Sequence, residues 1–208
     1  MKIGIFGGTF DPPHYGHIHL AEYIQQTKKL DKILFVLSAA PPHKPNKPVT
    51  PFTHRLNMLN LAIAGNNTFE VSTIEQQRLP IPSYTYDTMN ILTKTLENDK
   101  LFLIIGGDSL LQLHTWYKGR ELVEKYNFIV YPRSNENIVQ SKMKTHWSDE
   151  LSSKLINSVI LSKLYPVSST EIRKNIYSSG NLDDSLTPKI IDYIHENNLY
   201  QNINSGLK

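Results

Sequence analysis

The sequence predicts a doubly wound α/β fold, with a mostly parallel sheet and helices on both faces. Two observations carry this reading. Six short apolar runs, rich in β-branched and aromatic residues, have the near-continuous apolarity of strands buried on both faces. Between most of them lie stretches with helical periodicity, the alternation that parallel crossovers require. The proline-rich loops add a third sign, because two of them follow strands, at the edge where open α/β sheets bind ligands.

In order, the first strand is "KIGIF" (2–6), followed by an irregular turn and a helix over 17–30. Strand 32–38 leads into "AAPPHKPNKPVT" (39–50), whose four prolines and two lysines make a stiff exposed loop. A helix over 51–65, a strand over 69–73 and a second loop over 74–83 follow. Then come helix 84–98, strand 101–106, helices 108–113 and 119–126, and strand 128–132. Residues 133–156 are polar and weakly patterned, an excursion with some helical character. A sixth strand over 158–162 and helices over 169–180 and 187–198 complete the chain. The arrangement is Rossmann-like. Residues 1–208 read as a single domain, with a C-terminal helical part (about 169–200) packed on it.

Hydrophobic residues make up 39% and charged residues 20%, as in ordinary globular chains. Lys+Arg 22 against Asp+Glu 19 leaves +3, and no block of five like charges occurs. A nucleic-acid partner is therefore not expected; scattered cations suit a small anionic ligand equally well. The absence of cysteine excludes disulfides, thiolate metal sites and cysteine nucleophiles. No signal peptide and no run of membrane-spanning length is visible, so a cytoplasmic location without membrane partners is expected. A homo-oligomer is compatible with the composition.

The chemistry-bearing stretch opens the chain: "GIFGGTFDPPHYGH", residues 4–17. Gly7 and Gly8 follow the first strand, where backbone needs either positive φ or close approach to a ligand. Thr9 and Phe10 continue the turn, Pro12 and Pro13 stiffen it, and Gly16-His17 enters a helix whose start favours negative charge. Neither a GxxxxGK[ST] loop nor GxGxxG is present. His14, His17 and His19 lie close together, but without HExxH or an acidic pair no metal site is assigned. The second stretch is "SSTEIR", Ser168 to Arg173. Ser168 and Glu171 have capping-box spacing, so a helix should start here. Thr170 and Arg173 share a face at its positive end, beside Ser169, which together suit a triphosphate.

These stretches resemble the nucleotidyltransferase superfamily. His14-Tyr15-Gly16-His17 matches its [HT]-x-G-H motif after GGTFDP, and "SSTEIR" is similar to its S-S-T-x-I-R motif. "PPHK" (41–44), "PSYTYDT" (82–88), "GGDSL" (106–110) and Trp116-Tyr117 resemble the bacterial nicotinate-nucleotide adenylyltransferases, in order over nearly the whole chain. The resemblance implies adenylyl transfer from ATP, as co-substrate, to nicotinate mononucleotide, with Mg²⁺ carried on the ATP phosphates. It implies His14, His17 and Arg173 as catalytic residues. Gly7, Gly8, Thr9, Phe10, Gly106, Asp108, Arg133, Ser169 and Thr170 would contact ATP. Lys44, Thr85, Trp116 and Tyr117 would contact the acceptor, with Trp116 stacked on the cationic pyridine ring. The remaining histidines (43, 54, 114, 146 and 195) have surface or structural roles. Pantetheine-phosphate adenylyltransferases and cytidylyltransferases share the first motif, but Trp116-Tyr117 and "PSYTYDT" argue against them. A non-catalytic nucleotide sensor need not keep His14, His17 and Arg173 together.

Overall fold

A computed structural model describes residues 1–41, 49–132, 143–161, 165–177 and 182–201. Five strands form one sheet in the order β3-β2-β1-β4-β5, and every pairing is parallel. They are β1 (Lys2–Gly8), β2 (Lys32–Leu37), β3 (Phe69–Ser72), β4 (Lys100–Gly106) and β5 (Asn127–Tyr131). The described helices are α1 (Tyr15–Lys28), α2 (Phe52–Ile63), α3 (Thr85–Thr95), α4 (Gly107–Gln112) and α5 (Gly119–Lys125). Beyond β5 come α6 (Asp149–Asn157), α7 (Ser169–Asn175) and α8 (Pro188–Glu196).

Side-chain alternation along β1 divides the core. Ile3 and Ile5 join Met89, Leu92, Leu110 and Leu122 on the face covered by α3, α4 and α5. Phe6 points the other way, to Leu20, Ile24, Phe35 and Leu59 beneath α1 and α2. Each fully buried side chain of this kind contributes about 1.5–3 kcal/mol, so the strand ends stand on a firm base. A third cluster joins Met58 of α2 to Ile172, Ile190 and Ile194 of α7 and α8. The winding direction reverses between β1 and β4, and there an open sheet leaves a crevice at its carboxyl edge.

The predicted strand over 158–162 is corrected. Among the described residues it makes one isolated parallel bridge, Val159 to Val130, at the β5 edge. Ile160 is buried beside β5, but Leu161 is 91% exposed, so the run leaves the sheet edge after one bridge. The polar excursion contains α6, started by Ser148, whose side chain accepts from Leu151 N–H at 3.3 Å.

Candidate active site

The turn after β1 is shaped by packing. Neither Gly7 nor Gly8 has positive φ; the left-handed residue is Phe10, at φ 46°. Close approach is thus the relevant property, since a Cβ on Gly8 would lie 2.8 Å from the Phe10 ring. That ring turns inward and meets His17 edge-on at 5.1 Å.

Helix α1 starts two residues earlier than its periodicity predicts, because His14 is its N-cap, with extended backbone (φ −148°, ψ 168°). The His14 N–H donates to His17 Nδ1 at 3.2 Å, and the two rings lie 3.7 Å apart. Gly16 leaves room between them. A Cβ there would stand 3.0 Å from the His14 ring and 3.3 Å from Val167. The glycine of HxGH thus sits where any side chain would press on the His14 ring.

Helix α7 starts at Ser169, as the sequence predicts, but the capping box does not form. Ser168 makes no side-chain cap bond, and Glu171 pairs with Lys174 at 3.0 Å. Tertiary bonds hold the helix start instead. Ser169 Oγ donates to Pro12 O at 2.9 Å, and Arg173 Nη1 donates to Asp11 O at 2.6 Å. Arg173 Nη2 reaches Thr170 Oγ1 at 3.4 Å, so the expected shared face is present.

Gly7, Gly8, Thr9, Phe10, His14, His17, Ser169, Thr170 and Arg173 line one cleft of about 490 Å³. Segments more than 150 residues apart thus meet on one cavity. With a guanidinium, hydroxyls, two imidazoles and a helix start, its chemistry suits a polyphosphate.

The other predicted residues that are described lie outside this cleft. Gly106 ends β4 and is the N-cap of α4, so Asp108 is not the cap but an exposed carboxylate in the first helical turn. Thr85 opens α3, where main-chain N–H groups lack intrahelical partners. Ser83 accepts from the N–H groups of Ala39 and Ala40 at 3.2 and 3.0 Å, tying the start of α3 to the loop after β2. Trp116 is half-buried against the α3–α5 core, and Tyr117 is 46% exposed, its ring tilted against that of Tyr84 at 4.6 Å. Lys44 and Arg133 lie outside the described residues. His54 Nδ1 bonds Tyr193 OH at 2.9 Å, and His114 stacks on His146 at 3.6 Å, structural uses as expected.

Sequence reasoning missed a buried polar network beneath the cleft. Arg55, 2% exposed, donates to the carbonyls of Thr50, Thr9 and Ser38 at 2.7, 2.9 and 2.8 Å. It pins the ends of β1 and β2 together. Burial lowers its pKa from the ordinary value, and the Asp11 charge opposes that shift. On an amphipathic helix an arginine reads as solvent-facing, so no sequence signal marked it. Asp11 is 7% exposed; its carboxylate accepts Thr50 N–H at 3.2 Å and Tyr200 OH at 2.7 Å.

A parallel sheet with a polar cleft beyond the carboxyl end of β1 is the architecture of nucleotide-binding α/β proteins. A family model described as cytidylyltransferase-like matches residues 5–175. The chain is 39% identical to a probable nicotinate-nucleotide adenylyltransferase of Desulfotalea psychrophila, over 96% of this chain and 99% of that protein. It is 38% identical to the nicotinate-nucleotide adenylyltransferase of Bacillus subtilis, over 96% and 98%. Among solved structures, it is similar to Plasmodium falciparum nicotinic acid mononucleotide adenylyltransferase complexed with NaAD. That likeness has a TM-score of 0.77 and 25% identity, over 96% of this chain and 97% of that one. The chain belongs to the cytidylyltransferase-like family and, within it, to the nicotinate-nucleotide adenylyltransferases.

Proposed function

We propose that the chain transfers the adenylyl group of ATP to nicotinate mononucleotide, releasing pyrophosphate, as a step of NAD biosynthesis. The observation that carries this reading is the meeting of His14 and His17 with Thr170 and Arg173 on one cleft. The acceptor phosphate has a second pKa of about 6 and is mostly dianionic at neutral pH, so the reaction needs no general base. Its oxygen forms the new bond to the α-phosphorus as the bond from that phosphorus to the pyrophosphate oxygen breaks. The leaving group departs with the electron pair. Catalysis then consists of positioning and of stabilising charge on the α-phosphate and the leaving group.

His14 and His17 donate to the α-phosphate, while Arg173, Ser169 and Thr170 hold the β,γ end. Gly7, Gly8, Thr9 and Phe10 admit the phosphates close to backbone. Asp108, beside Gly106, meets ribose hydroxyls, and Arg133 lies near adenine. The acceptor ring stacks on Trp116, its carboxylate takes the main-chain N–H groups of Thr85 and Tyr117, and Lys44 meets its phosphate. The position of Thr85 at the start of α3 supports that assignment. Main-chain donors favour a carboxylate over a carboxamide, which would set an NH₂ against an N–H.

Mg²⁺ would accompany ATP and would supply charge neutralisation on its phosphates. The reading places the reaction in the cytoplasm, without nucleic-acid or membrane partners. Among the described residues, no helix is long and apolar enough to cross a membrane. The cluster joining α2 to α7 and α8 supports reading residues 1–208 as one domain.

The test is pyrophosphate release from ATP with nicotinate and nicotinamide mononucleotides offered separately. Release with the acid in clear preference to the amide is expected. Release with neither would overturn the reading.

A further inference from the structure

Tyr200 lies beyond α8 and does not line the cleft, yet its phenol donates to Asp11 Oδ1 at 2.7 Å. Asp11 Oδ2 accepts Thr50 N–H at 3.2 Å, and the main-chain carbonyl of the same residue accepts Arg173 Nη1 at 2.6 Å. One residue therefore joins the C-terminal segment, the entrance to α2 and the arginine on the far wall of the cleft. Two more bonds bind the same stretch to C-terminal residues: Ser169 Oγ to Pro12 O and Tyr15 N–H to Ser185 O, both 2.9 Å. His14 sits between them in the chain.

Asp11 is buried, so its carboxylate depends on these donors and cannot recover a lost one from solvent without moving. A movement of Asp11 carries His14 with it along the stiff Pro12-Pro13 turn. It also displaces the carbonyl that holds Arg173. Both walls of the cleft would shift from one lost hydroxyl. Small displacements of reacting groups cost rate steeply, while the acceptor contacts assigned to Thr85 and Trp116 stand outside this cleft.

We propose that Tyr200 is a positioning residue that acts through Asp11 to set the His14–His17 turn against Arg173. The inference rests on the adenylyl-transfer reading of the cleft. Tyr200→Phe removes one hydroxyl and keeps the ring, so it tests the bond with little change in packing.

In Tyr200→Phe, kcat should fall about tenfold, with KM for nicotinate mononucleotide within about twofold of wild type. Affinity for a non-hydrolysable ATP analogue, read by calorimetry, should weaken at least about threefold. Asp11→Ala should weaken both at least as much, and adding Tyr200→Phe to it should cost little more, because Asp11→Ala already removes the acceptor of that bond. Rates are scored per folded molecule from circular dichroism. Unchanged kcat and analogue affinity in Tyr200→Phe overturn the proposal, as do losses that multiply in the double variant. A wild-type chain that releases no pyrophosphate counts against the adenylyl-transfer reading alone. The analogue titrations of the two variants then still decide the positioning role.

Discussion

The main-chain N–H of His14 donates to Nδ1 of His17 at 3.2 Å, while the two rings lie 3.7 Å apart. An Nδ1 that accepts places the proton of a neutral imidazole on Nε2. The same bond that starts α1 therefore selects the tautomer of His17 and the nitrogen with which it donates.

If that donor meets the α-phosphate, His17→Ala should lower kcat by about a hundredfold or more, as the loss of a transition-state donor does. Steady-state pyrophosphate release measures this, with circular dichroism to confirm folding. An unchanged rate would remove His17 from the chemistry.

Trp116 is half-buried, so its core packing and its proposed stacking role must be separated by substrate. Trp116→Ala should raise KM for nicotinate mononucleotide and leave KM for ATP nearly unchanged. Equal rises for both substrates would make the tryptophan structural.

Arg55 gives three hydrogen bonds to main-chain carbonyls beneath the cleft and faces the buried Asp11. Replacing it with methionine removes those donors and leaves a buried carboxylate without its opposing charge. The free energy of unfolding should fall by about 3 kcal/mol or more, since each buried carbonyl left without its donor costs about 1–3 kcal/mol. A lower urea midpoint at unchanged m is the measurement. A midpoint equal to wild type would show that the network is not needed for stability.

Burial raises the pKa of the Tyr200 phenol, and the charge and hydrogen bond of Asp11 add to the shift. The folded state thus keeps a proton that the unfolded state releases near pH 10. The stabilisation is complete below that value and is lost as pH rises beyond it. Tyr200 should contribute a decline of up to about 1.4 kcal/mol per pH unit above pH 10, absent from Tyr200→Phe. Urea unfolding of both proteins between pH 9 and 11 tests this; parallel curves would contradict it.

Much of the site was legible because its residues cluster in sequence. The turn through His14 and His17 and the start of α7 are short motifs whose spacing encodes local backbone and phosphate chemistry together. The failures have a common cause. Ser168 and Glu171 have the spacing of a capping box, yet Ser169 bonds to Pro12 and Glu171 to Lys174. Tertiary partners outcompeted the local pair. The run over 158–162 has the composition of a strand, and Val159 and Ile160 do pack on the two core clusters, but among the described residues it pairs with β5 through a single bridge and Leu161 is exposed.

The sequence alone determined the alternation of strand and helix, the parallel sheet and the two short motifs that meet on the cleft. Each rests on interactions between residues a few positions apart: periodicity, turn chemistry and the start of a helix. Only the tertiary structure decided that Asp11 would bind Tyr200 through its side chain and Arg173 through its carbonyl. It also decided that Arg55, on what reads as an ordinary amphipathic helix, would lie beneath the cleft. Such partners are set by where the folded chain leaves buried polar groups in need of donors, and no local pattern records that need.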